Sequence, residues 1–503
     1  MIFLRSIVFS VAIALILFPG GRAATAEPGS LASGTLALTA VAQNPAGLPE
    51  LDIVPSRLTP TYRRLKQFLN DVPAIDTHDH LWPFDRLRAY RMTKDGKGVN
   101  LAGIWQNSYL PGYARITPWT DGMEFDDWWK SARKDFHNVR ATSFYRYQLP
   151  AFRDLYGVDF DTITDDEARR VDRQIFENYK DQRWLYHVVT ERANIELMFN
   201  DTYWGCHDFV QSYPWEVLVM NVTTLVRGFH ASEYENRTGT PFAGDSPYDF
   251  AKKHGLPVRT LDEYLAVLDR LFLEARDKGV VCLKCTLAYQ RSLRFENVGR
   301  DRAAAVFGKR QTQLTPEEIK DFEDFIMWRL CELSARYELP FQIHTGQAKI
   351  QGSNPMNLVD LLDANPKTKF ILFHGGYPWV GETAVILQKQ GWHVWLDSVW
   401  LPMLSYSTAK RAFHEWLDAF PSNRIMWGAD CNHAEGIYGA TEFNRQCLAE
   451  VLAEKVMAGD LKEAHAERIG KQILRDNALE LFPQLESRLW KHTGKKLEPA
   501  AAK

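Results

Sequence analysis

Six cysteines in 503 residues are too few and too scattered for a disulfide scaffold. Cys282 and Cys285 spell a CxxC pair. They sit in the apolar run Val280 to Cys285, and strand geometry puts them on opposite faces, which argues against a redox or zinc role. An excess of charge of either sign is also lacking: the formal net charge is -3 and the pI near 6.6, so nothing calls for a nucleic-acid or membrane-surface partner. The chain has no internal repeat or low-complexity tract, and its one marked apolar run outside candidate strands is Ser6 to Phe18. That run is short for a membrane span. It follows a basic start, Met1 to Arg5, and precedes small residues at Ala24, Thr25 and Ala26, the pattern of a secretory signal peptide over 1–26. The expectation is an exported protein, periplasmic or secreted, with no membrane attachment after cleavage. Residues 27–50 read as a linker and 491–503 as a tail.

What the chain does have is 45% hydrophobic residues and enough length for a large core. After residue 190 it settles into alternation. Ile195 to Phe199, Val217 to Val222, Val280 to Cys285, Pro340 to His344, Lys369 to His374, His393 to Asp397 and Arg424 to Gly428 are short apolar runs, each a candidate buried strand. Helical patterns lie between several of them, including Leu261 to Lys278 and a helix to Tyr337 that opens with Thr315-Pro316-Glu317-Glu318. With Ala74 to Thr77 first, the count reaches about eight, the number that closes a (β/α)8 TIM barrel, an α/β fold spanning 51–490. The stretch 82–190 breaks the alternation. It is crowded with aromatic and charged residues, and Phe125 to Phe136 and Asp165 to Tyr179 predict helices, so it reads as a mostly helical insertion after the first strand, covering the barrel mouth.

The first strand ends in His78-Asp79-His80. On a strand, residues i and i+2 share a face, so the two imidazoles aim at one point: a two-pronged metal grip. Strand ends of such a barrel converge on one mouth. Here they also deliver Lys284 on the fourth strand, His344 on the fifth, His374 on the sixth and Asp430 just after the eighth.

This order of strand-end residues resembles the amidohydrolase superfamily of metal-dependent barrels. The segments Asp76 to His80, Lys284 with Tyr289, Phe341 to Gly346, Phe373 to Pro378 and Trp427 to Asp430 are similar to the amidohydrolase-like half of glutamine-synthetase fusions, with uronate isomerase a more distant relative. The resemblance implies metal ligation by His78, His80 and Asp430, with His344 a further ligand. It leaves His374 as a second-metal ligand or a hydrogen-bond donor to substrate. It leaves Lys284 as a carbamylated bridge between two metals or as a cation gripping a substrate carboxylate. The expected cofactor is one or two divalent ions, zinc first, with manganese and iron as alternatives.

The catalytic set is then Asp430, as proton carrier, with His374 and Lys284. Arg227, Tyr289, Arg291, Gln347 and Trp379, with Trp400 and His433, fall just beyond predicted strands, where substrate-contacting loops belong. The reading is a metal-dependent hydrolase of an amide, ester or lactone in a small polar or carboxylate-bearing molecule. Decarboxylation or uronate-type isomerisation on the same scaffold, and a catalytically silent binding barrel, are the alternatives. Oligomeric state is open, a homo-oligomer included.

Overall fold

The computed structural model describes residues 55–201, 209–235 and 246–489. The signal peptide, linker and tail expected from the sequence, and Cys206, lie outside the described residues. Eight parallel strands form one sheet in chain order: β1 (Ala74–Asp79), β2 (Ile195–Asn200), β3 (Glu216–Asn221), β4 (Val280–Cys285), β5 (Phe341–Ile343), β6 (Phe370–Leu372), β7 (Val394–Asp397) and β8 (Ile425–Met426). The ring closes between its ends: Thr77 N–H donates to Trp427 O at 3.1 Å, Asp430 N–H to His78 O at 2.8 Å and His80 N–H to Cys431 O at 2.8 Å. All eight predicted strands are present. Their apolar runs were readable because a parallel barrel strand is covered on both faces, and nearly every residue in these strands is buried. Among the described residues no helix is long and apolar enough to cross a membrane, and the five described cysteines are free and buried.

Helices between the strands start where their sequence says. Thr315 caps Pro316–Tyr337 and Thr164 caps Asp165–Asn178; both form capping boxes, with Glu318 and Glu167 reaching back. The insertion departs from expectation in one respect: it also contains an antiparallel hairpin, Tyr90–Thr93 with Gly96–Val99. The connection Lys94-Asp95 leads into Gly96 at φ +107°, a conformation that favours glycine. Around it the aromatic residues make a core of their own, with Trp105 stacked on Tyr145 at 5.3 Å and on Phe152 at 5.5 Å, and Phe160 on Phe152 at 4.5 Å.

The long helix Ala434–Ala458 joins insertion to barrel. Its buried Glu435 accepts from the hydroxyls of Tyr156 and Tyr179 and from Trp184 Nε1. Gly439 lies so close to Tyr147 that a β-carbon there would stand 2.1 Å from its carbonyl oxygen.

Within the insertion, Asp172 accepts from Leu101 N–H at 2.9 Å. Burial pushes its carboxyl up to about 6, against the pull of that amide. The folded chain therefore binds the proton more tightly than the unfolded one. The resulting penalty is absent below about pH 3, builds as pH rises from about 4 to about 6, and is complete above that. Asp172→Asn keeps an oxygen for Leu101. We expect it to stabilise the protein by about 1 kcal/mol at pH 7.5 and by almost nothing near pH 3, as read from urea midpoints at the two pH values; equal midpoints at pH 7.5 would refute this.

Candidate metal centre

β1 and the turn after β8 bring three ligand atoms together. His80 Nε2 lies 3.3 Å and His78 Nε2 3.9 Å from Asp430 Oδ1, all three residues are buried, and their ligand atoms lie within 4.8 Å of one another. A tetrahedral ion with bonds of about 2.0–2.2 Å needs donors of these types at roughly such separations, so the donor set fits a divalent cation. His80 is oriented from behind: its Nδ1–H donates to the Asp201 carbonyl at 2.7 Å, which turns Nε2 toward the cluster. Tyr109, from the insertion, donates its hydroxyl to Asp430 Oδ1 at 2.8 Å and to the Asp430 carbonyl at 2.5 Å.

The charges follow from this packing. Burial, reinforced by the nearby Lys284 ammonium, holds His78 well below the ordinary imidazole range. A neutral ring is what metal ligation requires. For His80 burial works the same way but is outweighed by the Asp430 carboxylate, which raises it. Asp430, despite its burial, stays far below the usual carboxylate range because His80 bonds it and His78, His80 and His374 surround it. Lys284 is lowered to about 8 by burial, against the pull of Asp430, Asp201 and Asp397.

His344 and His374 arrive at the same mouth as a linked pair, with 2.9 Å between His344 Nδ1 and His374 Nε2. The outer nitrogens face carbonyls: His374 Nδ1 is 3.1 Å from Val399 O and His344 Nε2 is 3.2 Å from Gln347 O. Both nitrogens of His344 are thus engaged away from Asp430, and the three-ligand cluster includes neither His344, His374 nor Lys284. Lys284 Nζ lies 3.5 Å from His78 Nε2 and 3.5 Å from the centre of the Phe373 ring. The backbone is strained at this centre. Of six described non-glycine residues with positive φ, Tyr109, His374, Trp400 and Asp430 surround it, at 57° to 65°. Trp400, buried, packs its ring against His374 and Tyr109.

Beside the centre, against Tyr109 and Trp400, opens a cleft of about 410 Å³ that Asn432, Tyr113, Tyr289 and Arg88 also line. Tyr289 is at the mouth as expected, its ring 4.4 Å from His344. Gln347 reaches toward Tyr113, with Nε2 3.5 Å from its hydroxyl. The two expected arginines are committed elsewhere. Arg291 is held by Glu323 at 2.8 Å and by Asp324, and Arg227 by Glu233 at 3.3 Å and Glu323 at 3.5 Å. Acidic residues of the helix Pro316–Tyr337 neutralise both, so neither guanidinium is free for substrate. Trp379 is the N-cap of the helix Val380–Gln390 and His433 that of Ala434–Ala458; neither lines the cleft.

Comparison with known proteins agrees with this geometry. Residues 243–484 match the family model described as Amidohydrolase. The segment carrying β4 through β8 belongs to the amidohydrolase superfamily. Among curated proteins it is 26% identical to protein fluG of Emericella nidulans over 220 residues, covering 41% of this chain and 25% of that protein, so the chain spans about a quarter of that relative's length. Among solved structures, uronate isomerase from Thermotoga maritima superposes with a TM-score of 0.66 at 15% identity, covering 84% of this chain and 97% of that one. Glucuronate isomerase from Caulobacter crescentus gives 0.65 at 15% identity, covering 86% and 95%. At such identities the likeness is one of fold. The family match takes in β4 through β8, and the cluster of His78, His80 and Asp430 has the donors to hold a divalent cation.

Proposed function

We propose that the protein is an exported hydrolase that cleaves an amide, ester or lactone in a small polar acid, using one divalent ion, zinc first. The observation that carries this reading is the approach of two imidazole nitrogens and one carboxylate oxygen within a buried cluster at the barrel mouth. A divalent ion bound there would polarise a carbonyl and lower the pKa of a coordinated water to about 7. His78, neutral by burial, offers a lone pair at neutral pH, and His80, oriented by Asp201, offers its own once a bound ion displaces the proton that Asp430 favours on it.

Asp430 is the proton carrier. It is ionised well below neutrality, so it accepts the proton that the attacking water loses as the carbon–oxygen bond forms. It then returns that proton to the departing nitrogen or oxygen as the scissile bond breaks. Tyr109 fixes the carboxylate by donating to the same oxygen that faces both histidines. Lys284 stands beside it as a donor to the substrate's developing oxyanion, with the His344–His374 pair, its outer nitrogens held by Gln347 and Val399, packed alongside. The signal-like N-terminus supports action after export.

Elemental analysis of protein purified without added metal tests the reading. One ion per chain is expected in the wild type and after Lys284→Met, and none after His78→Ala. Metal that survives His78→Ala, or wild-type protein that stays metal-free after reconstitution, would overturn it. Two ions falling to one in the lysine variant would instead support a carbamylated bridge. Oxygen-18 from solvent in the product separates hydrolysis from isomerisation.

A further inference from the structure

The cleft beside the metal centre has one charged lining residue, and it is not among those that strand-end position singles out. Of the described residues lining the cleft, Arg88 alone carries a charge at neutral pH; its neighbours are neutral amides, tyrosines and a tryptophan. Among the described residues no carboxylate pairs with it, and the one ring its guanidinium faces is Trp82, at 5.6 Å. Arg227 and Arg291, by contrast, are neutralised by Glu233, Glu323 and Asp324.

The backbone beneath Arg88 is fixed although its side chain is exposed. Leu87 and Ala89 on either side are buried. The Arg88 carbonyl accepts from Arg91 Nη1 at 3.0 Å and from Asn107 Nδ2 at 3.5 Å. The Ala89 carbonyl is pressed so close to Gly103 that a β-carbon there would stand 2.3 Å away. The guanidinium is thus a donor fork at the rim of the cleft, mounted on a rigid base and lacking an internal anion. Tyr113 and Tyr289, both about half exposed, offer amphipathic surfaces on the same cleft.

We propose that Arg88 is a specificity-determining residue, which selects substrates by pairing with an oxyanion at the end remote from the reacting carbon. A planar guanidinium meets a carboxylate or a phosphate through two parallel hydrogen bonds. A cleft of about 410 Å³ limits the partner to a small molecule. This deepens the functional reading and rests on it only for the location of the reacting end.

Calorimetric titration of the zinc-loaded protein with two probe sets tests it: benzoate, phenyl phosphate and benzamide, and glucuronate, glucose 6-phosphate and glucose. In at least one set the anionic members should bind the wild type about tenfold more tightly than the neutral one. Arg88→Gln should abolish that preference and Arg88→Lys should retain part of it, while Arg276→Gln, an equal charge change on the helix before β4, should leave it intact. Because Arg88 is exposed, raising the salt should shrink the preference in the wild type.

No anion preference in either set, an unchanged preference in Arg88→Gln, or an equal loss in Arg276→Gln would overturn the proposal. The carboxylate and phosphate arms show which oxyanion is taken. Since binding is read without turnover, failure of the hydrolytic reading leaves this result standing, and failure here leaves the metal centre untouched.

Discussion

Asp430→Asn is expected to lower turnover of the best ester, amide or lactone probe about a thousandfold. Asp430 is the only carboxylate in the three-ligand cluster. Asparagine preserves its size and can still accept from Tyr109, but it can neither take a proton nor offer a negative ligand. Tyr109→Phe provides the contrast. It leaves the charge and removes only the donor that orients Oδ1, so the loss should be nearer tenfold with metal retained. Steady-state rates and metal content measured on both variants decide the matter. An asparagine variant within tenfold of wild type would show that the proton is carried by another group.

The second large effect lies at the opposite end of the barrel and concerns stability. Glu196, the second residue of β2, and Arg475, from the C-terminal helical segment, form a buried ion pair. Arg475 also donates to Pro73 O, just ahead of β1, at 2.8 Å. Removing one partner strands the other charge in a medium that solvates it poorly. Arg475→Met is therefore expected to cost about 3–5 kcal/mol, and adding Glu196→Leu should recover much of the loss. Urea unfolding of the single and double variants checks this, and a single-variant loss below about 1 kcal/mol would refute it. Metal content at low temperature should be unchanged, because the pair anchors the bottom of strands whose tops carry the ligands.

These two expectations differ in how far the sequence reached. His78, His80 and Asp430 were legible, because strand periodicity puts i and i+2 on one face and a closed parallel barrel sends every strand end to the same mouth. The strands themselves were legible because burial on both faces demands continuous apolar runs. The same rule misled for Arg227 and Arg291: lying just past a strand says that a residue belongs to a loop, not which way its side chain turns, and acids on the helix Pro316–Tyr337 claimed both guanidiniums. His344 was correctly brought to the mouth, yet its ring turns to His374, Gln347 and Tyr289 instead of into the cluster.

The insertion held the least readable part. Its helices announced themselves through Thr164 and its capping partner Glu167, while its hairpin did not, because four-residue strands on a half-buried surface lack a long apolar pattern. Tyr109 and Arg88 carried no signal in their local spacing.

The sequence by itself therefore determined the barrel, the order of its strands and the meeting of three candidate ligands, since these depend on periodicity and on a topology with one common mouth. Only the tertiary structure decided that Tyr109 clamps Asp430 from 321 residues away, that two histidines pair with each other, and that among the described residues the one cation of the cleft without a carboxylate partner is Arg88. Those contacts depend on the path of an irregular insertion over the mouth and on which anions lie within reach of each cation, and neither is encoded in local spacing.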